Sequence, residues 1–226
     1  MKKRVFYSEL AYVVGLTILA LGVAMTERAD LGVSMVVAPA YLLHRKLSAS
    51  LPFFTFGMAE YCLQAVLLVL MVAVLRRAKL SYLFSFVTAV LYGFLLDFFI
   101  WIVGFLPAPE LVGRIALYVV GMALSSVGVA LLFRTYIAPE VYELFVKEVS
   151  ARYQIEITVF KTVYDLTSCL VSVILSFLFF GLWHFEGVKW GTVVAAFCNG
   201  PMIRVITKWM TNHFTFRDGL PFRRYF

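Results

Sequence analysis

Long uncharged runs separated by short polar stretches dominate this chain. A bilayer core takes roughly 20 mostly apolar residues per helix, and six runs approach or reach that scale. Leu10–Thr26 is uncharged and led by Lys2-Lys3-Arg4. Leu51–Leu75 encloses Glu60, and Leu80–Leu106 encloses Asp97. Ile115–Phe133 is uncharged, as is Leu166–Phe185, which extends back to Ile157 if Lys161 and Asp165 are taken in. The last run, Trp190–Met210, is interrupted by Arg204 and Lys208. The pattern predicts an all-α polytopic membrane protein with six transmembrane helices in a single transmembrane domain spanning residues 1–226.

Two connections carry helical patterns of their own. After the first run, Leu31-Gly32-Val33-Ser34 leads into an apolar stretch to Leu43, closed by His44-Arg45-Lys46. After the fourth, Ile137-Ala138-Pro139-Glu140 leads into Val141, Leu144, Phe145 and Val149 on one helical face. Glu143 and Lys147 fall on the other face at i,i+4 spacing, and Pro139 suits a first helical turn. Both read as short helices of about three turns, too short to span, lying in the interface or re-entering the bilayer.

Composition agrees. Hydrophobic residues make up 62% of 226 residues, charged residues 15%, and mean hydropathy is +0.91. A globule of this size has too much surface to hide that composition, which excludes a soluble enzyme, a disordered regulator and a disulfide-stapled secreted module. Ala20–Ala24 resembles a small-residue cleavage site, but the run is long for a signal sequence, so it is kept as the first span. The net charge of +7 implies no nucleic-acid partner, because the basic residues lie between apolar runs. With the N-terminus inside, fourteen Lys and Arg fall on inner segments and five on outer ones, Arg204 being within a span; both termini are expected to be cytoplasmic. On this orientation the Pro107–Pro109 and Gly187 turns face outside. Cys62, Cys169 and Cys198 stand singly in apolar stretches and read as small core residues. Trp183, Trp190 and Trp209 near span ends suit an interfacial belt.

The chain also repeats itself. Gly22-Val23-Ala24 matches Gly128-Val129-Ala130 and Arg28 falls on Arg134, all at a spacing of 106. Shifted by about one residue, Glu60 meets Asp165, Gly93 meets Gly200 and Asp97 meets Arg204. Three spans per half is an odd number, so the halves, about 5–106 and 110–212, are expected to have opposite topology. Inverted repeats of this kind are common among secondary transporters, with substrate sites near the midplane where the repeats meet.

Three segments carry a family likeness: Ala29-Asp30-Leu31-Gly32-Val33-Ser34 after the first span, Gly93 to Asp97 in the third, and Gly200-Pro201 in the last. Together they resemble the YczE-type bacterial membrane proteins, related more distantly to the YitT type. Met35 stands where that family has proline after the serine. The resemblance implies six spans and a bacterial plasma (inner) membrane, and it implies no particular substrate.

Ionisable groups inside a bilayer cost about 2.5–3.5 kcal/mol on insertion scales and are functional candidates by default. Asp97 and Arg204, matched across the repeat, read as one midplane pair, serving either a substrate or proton role or a salt bridge locking the halves. Glu60 and Asp165 lie near span ends, where a solvated helix terminus is the simpler account. Arg28 and Arg134 precede the short helices, where backbone N–H groups and a guanidinium suit a carboxylate or phosphate; snorkelling to headgroups is the alternative. Glu27 and Asp30 are positioned to neutralise Arg28 locally. With Asp30 and Ser34 of the first motif, these residues form the candidate substrate-binding set.

An intramembrane serine protease needs a serine activated by histidine. Ser125-Ser126 lacks the expected setting, and His44, His184 and His213 are scattered at span ends. No Gly-rich phosphate loop and no H-E-x-x-H occurs. The sequence therefore predicts no enzyme, no cofactor and no metal. The leading expectation is a secondary-type transporter in the lipid bilayer for a small-molecule or anionic solute. The alternatives are a substrate-capture subunit with an ATP-driven partner, and an assembly factor without cargo; oligomeric state is left open.

Overall fold

The computed structural model describes residues 4–106, 110–182 and 187–221. Eight helices and two short strands follow among them: β1 (Arg4–Tyr7), α1 (Ser8–Ala29), α2 (Ala38–Leu47), α3 (Phe56–Leu75), α4 (Leu80–Gly104), α5 (Leu111–Leu132), α6 (Val141–Tyr153), α7 (Ile157–Phe180), α8 (Trp190–His213) and β2 (Phe214–Arg217). The Pro107–Pro109 turn, Trp183, His184 and the charges at Lys2, Lys3, Arg223 and Arg224 lie outside the described residues.

Each apolar run becomes a helix, with ends set by local chemistry. The second run starts later than its hydropathy suggests, because Thr55 takes the N-cap and its hydroxyl accepts the Met58 N–H at 3.2 Å. Asp30, Arg76 and Gln154 end α1, α3 and α6 in the left-handed conformation. Pro39 sits in the first turn of α2. Pro139 does not do so for α6: Glu140 is the N-cap, so the proline precedes the helix.

Among the described residues five helices are long and apolar enough to cross a membrane: α1, α3, most of α4, α5 and most of α7. The protein is a multi-pass helical membrane protein. The expected sixth span, α8, has the length at 24 residues but is not among the five. Asn199, Arg204 and Lys208 interrupt it, and Pro201 removes one of its backbone donors. Phe94, Trp101, Leu178, Trp190 and Trp209 point outward, while Glu60, Gln64, Lys161 and Asp165 are buried. Apolar outside and partly polar inside is the distribution a lipid solvent selects. Cys62 also faces outward, against the expectation of a core position.

At the centre α1 and α5 cross antiparallel through glycines. A Cβ on Gly22 would meet the Gly121 carbonyl at 2.6 Å, and one on Gly128 would meet the Gly15 carbonyl at 2.7 Å. Only glycine permits backbones this close. Outward from this crossing, α4 packs on α1 and α8 on α5; α3 packs on α4 and α7 on α8. Helix α2 packs on α3 and α7, and α6 on those same two helices. Burial extends over Val141, Tyr142, Glu143, Leu144, Val146, Val149 and Ser150 of α6, so the face carrying Glu143 is not the solvated one its spacing suggested.

The strands were not expected from hydropathy. β1 and β2 form a parallel pair with Val5 opposite Thr215. The Glu9 carboxylate accepts the Gly219 and Leu220 N–H groups, and the Ser8 hydroxyl donates to Asp218 at 2.9 Å. The start of α1 and the end of α8 therefore lie together.

Candidate functional site

Five ionisable side chains and an amide meet where α3, α6 and α7 converge. Glu60 and Gln64 lie one turn apart on α3, the spacing that puts two side chains on one face. Glu140 and Glu143 open α6, and Lys161 and Asp165 repeat the one-turn spacing on α7. All six are at least nineteen-twentieths buried, Glu60, Gln64 and Asp165 completely so.

The geometry divides into two linked groups. Gln64 Nε2 stands 3.2 Å from Glu140 Oε2 and 3.5 Å from Glu60 Oε2, while Gln64 Oε1 accepts the Val141 N–H at 3.0 Å. The Tyr142 hydroxyl donates to Glu60 Oε2 at 2.8 Å. In the second group, Lys161 Nζ lies 3.1 Å from Asp165 Oδ1 and 3.6 Å from Glu143 Oε1. The Asp165 contact is a charge contact without hydrogen-bond alignment, since both its oxygens lack a hydrogen-bond partner. Glu60 Oε1 and Glu140 Oε1 are likewise buried and unpartnered. Against four carboxyls stands one ammonium. Leaving the excess ionised would bury charges that cost several kcal/mol each.

A cavity of about 30 Å³ opens beside these groups, lined by Glu140, Glu143, Lys161, Ser34, Ser125 and Asn199 among others. A single water needs roughly 10–15 Å³ by this measure, so it holds about two waters and no organic solute. A wider cleft of about 410 Å³ lies between α5, α7 and α8. Arg134, Lys161, Arg204 and Lys208 line it. Lys161 thus belongs to both spaces.

The sequence-derived candidates separate. Glu60 and Asp165 enter the buried cluster, so the solvated-terminus account of both is wrong; α3 and α7 bring their polar faces against α6 instead of against water. Ser34 lines the small cavity, and Arg134 and Arg204 line the cleft. Asp97 and Arg204 have different partners. The Asp97 carboxylate accepts from the Thr55 hydroxyl at 2.8 Å and the Gly57 N–H at 3.0 Å, at the start of α3. Arg204 pairs with Glu156, the N-cap of α7, at 3.4 Å, with both side chains exposed.

Neither paired arginine points at a short helix. Arg28 donates to the Leu106 carbonyl just after α4, and Arg134 to the Thr211 hydroxyl near the end of α8, both at 2.6 Å. Asp30 is paired with Arg114 at 2.9 Å and with Lys189, not with Arg28. Ser126 donates to Asn199 Oδ1 at 2.9 Å, His44 contacts the Phe54 carbonyl and His213 that of Trp209. Among the described residues, no group of three or more His, Cys, Asp or Glu side chains is arranged to hold a metal ion.

Gln64, Tyr142, Glu140, Glu143 and Lys161 were not among the candidates. Gln64 carried a readable signal: a polar residue one turn from Glu60 inside an apolar run. Tyr142 carried none, because nothing in a sequence separates a packing tyrosine from one that donates to a buried acid.

A multi-pass α-helical membrane protein with a charged interior is the class these features define. The chain belongs to the family of unknown function DUF6198, whose model matches residues 6–208. No curated protein and no solved structure matches it.

Proposed function

We propose that the protein is a small-solute membrane transporter of the secondary type, built from two inverted repeats of about 5–106 and 110–212, with its site at their interface. The observation that carries this reading is an exchange of contacts. At the spacing of 106, Gly15 corresponds to Gly121 and Gly22 to Gly128; Gly15 touches Gly128, and Gly22 touches Gly121. Reciprocal contacts of this kind belong to a two-fold axis, and with antiparallel helices that axis runs in the membrane plane.

Further pairs obey the same rule. Thr192 of α8 donates to the Val33 carbonyl at 2.8 Å, and Ser85 of α4 donates to the Pro139 carbonyl, the matched positions of the other half. Arg28 reaches the end of α4 as Arg134 reaches the end of α8. Asp97 holds the start of α3 as Arg204 holds that of α7. Helix α2 crosses to α7 and α6 to α3.

The sixth span of this reading is α8. The β1–β2 pair ties the start of α1 to the end of α8, which fits an even number of crossings and supports counting α8 with the five apolar spans. The cleft between α5, α7 and α8 lies in the second repeat and adjoins the interface through Lys161, which also lines the small cavity between the repeats. With its four cations it is the solute approach of this reading and favours a small organic anion. The YczE-type likeness belongs with it, as do a bacterial plasma membrane and cytoplasmic termini.

The test is reconstitution of the purified protein alone in liposomes, with labelled amino acids, nucleobases, vitamins and organic anions offered under an ion gradient. Gradient-driven uptake of one class is expected. Binding without uptake would identify a capture subunit, and neither would identify an assembly factor.

A further inference from the structure

The buried acids on either side of Gln64 do a task that the transporter reading leaves open. Glu60 belongs to the first repeat and Glu140 to the second, so the seam between the repeats is closed by a carboxyl–amide–carboxyl bridge. Each carboxyl gives one oxygen to the Gln64 amide and keeps the other, Oε1, buried and unpartnered. Glu140 is 2% exposed and lines the small cavity beside the bridge.

The surroundings decide which occupant fits. The titratable groups facing the pair are Tyr12 from α1, Tyr92 from α4, Tyr142 and Glu143 from α6, and Lys161, Tyr164 and Asp165 from α7. Lys161 is already shared between Glu143 and Asp165, so among the described residues no further cation balances Glu60 and Glu140. A metal cation would sit beside the Lys161 ammonium, which lines the same cavity. A proton feels the same ammonium but neutralises a carboxylate outright, needs no coordination shell, and gives an unpartnered oxygen a hydrogen to donate.

We infer that Glu60 and Glu140 together form a proton-binding site across the repeat interface, holding one exchangeable proton that closes the seam and leaves through the adjacent cavity. Its chemistry is a proton transfer between a carboxyl oxygen and water. With the proton in place one neutral acid and one carboxylate share the Gln64 amide. Without it two like charges face each other out of water and push α3 and α6 apart. Resting on the transporter reading, this makes the proton the coupling ion, since its loss and the opening of the seam are one event.

Infrared difference spectroscopy of the purified protein through pH steps tests the site directly, with the proton as probe. The wild type should show a buried protonated-carboxyl C=O band at neutral pH that disappears in one step as pH rises and grows in a second step on acidification, because an interacting pair titrates as a unit. Glu60→Gln and Glu140→Gln, which keep side-chain size, should each leave one step, and the double variant should lose the band altogether. Glu148→Gln, which alters contacts with Lys79 and the Tyr82 hydroxyl away from the pair, should leave it intact. A wild type without the band at neutral pH overturns the proposal with no variant needed, and so does a double variant that retains the full band.

Proteoliposomes separate the site from the transporter reading. Loss of the band in the double variant, together with wild-type protein that takes up no solute, keeps the proton site and removes the transporter reading with its coupling role. Uptake driven by a pH gradient that survives unchanged in the double variant overturns the coupling role and keeps transport.

Discussion

The carboxyl groups of Glu60 and Glu140 converge on one amide nitrogen, Nε2 of Gln64, which lies 3.5 Å from the first and 3.2 Å from the second. They are 80 positions apart in the sequence, and the rest of α3 and the whole of α4 and α5 separate them along the chain. A single neutral side chain thus satisfies acids from two different helices and the first N–H of α6 besides.

Removing that amide should be costly. Gln64→Leu keeps the volume but leaves the Val141 N–H and Glu140 Oε2 buried without partners, Glu60 Oε2 keeping the Tyr142 hydroxyl, at about 1–3 kcal/mol for each orphaned group. Thermal unfolding in detergent should show a clear drop in midpoint. A midpoint unchanged from wild type would mean that water reaches these groups.

Lys161 is the cation of the second group. Lys161→Met leaves Glu143 and Asp165 buried without their counter-charge, and single removals of this kind cost about 3–5 kcal/mol. Adding Asp165→Asn should recover part of that loss. A double variant no more stable than Lys161→Met alone would show that Asp165 is not held by the lysine.

The glycine crossing predicts sharp position dependence. Gly22→Val and Gly128→Val drive a side chain into the opposite backbone, and overpacking of this kind typically costs about 1–3 kcal/mol. Gly104→Ala is the control, since a Cβ there meets nothing within 4 Å. Equal unfolding midpoints for the three variants would refute the close approach of α1 and α5.

Asp97 and Arg204 should act independently. Asp97→Asn weakens the acceptor that holds the start of α3, at about 1 kcal/mol, whereas Arg204→Gln loses an exposed pair and should change stability by less than about 1 kcal/mol. In a double-mutant cycle the two effects should add to within about 0.5 kcal/mol. Marked recovery in the double variant would instead join them as the midplane pair that their matched positions suggest.

The paired strands predict which segments share a side of the membrane. In a cysteine-free background, cysteines at Val5 and Thr215 should cross-link, and one at Asp218 should react with an impermeant reagent only after permeabilisation. One at Glu110, outside on this topology, should react in intact cells. The reverse pattern would invert the protein in the membrane, and reaction of both from one side would remove the even number of crossings.

Hydropathy located the helices well because burial in lipid acts on every residue of a span, whatever its neighbours. It was weakest where a cap or a partner intervenes. Thr55 cut off the first turn expected for α3, and the polar residues of α8 left it short of the apolarity of the other five. The proposed repeat rests on a few identities in the sequence, whereas the contacts that support it, such as Gly22 on Gly121, join positions that are not the matched ones.

The sequence by itself determined that the chain is a membrane protein, where its apolar helices run, and that acids and bases are enclosed within them, because the free energy of apolar and charged groups in lipid is a property of each residue type. Only the tertiary structure decided which of those charges meet. An apolar run fixes how far along a helix Glu60, Asp97 or Arg204 stands, but the direction a side chain faces and the helix across from it depend on how the helices pack. Asp97 and Arg204, matched in the sequence, turned to their own helix starts, while Glu60 found Glu140 through Gln64, because α6 is enclosed between α3 and α7 and its N-terminal N–H and acids had to be satisfied where water is scarce.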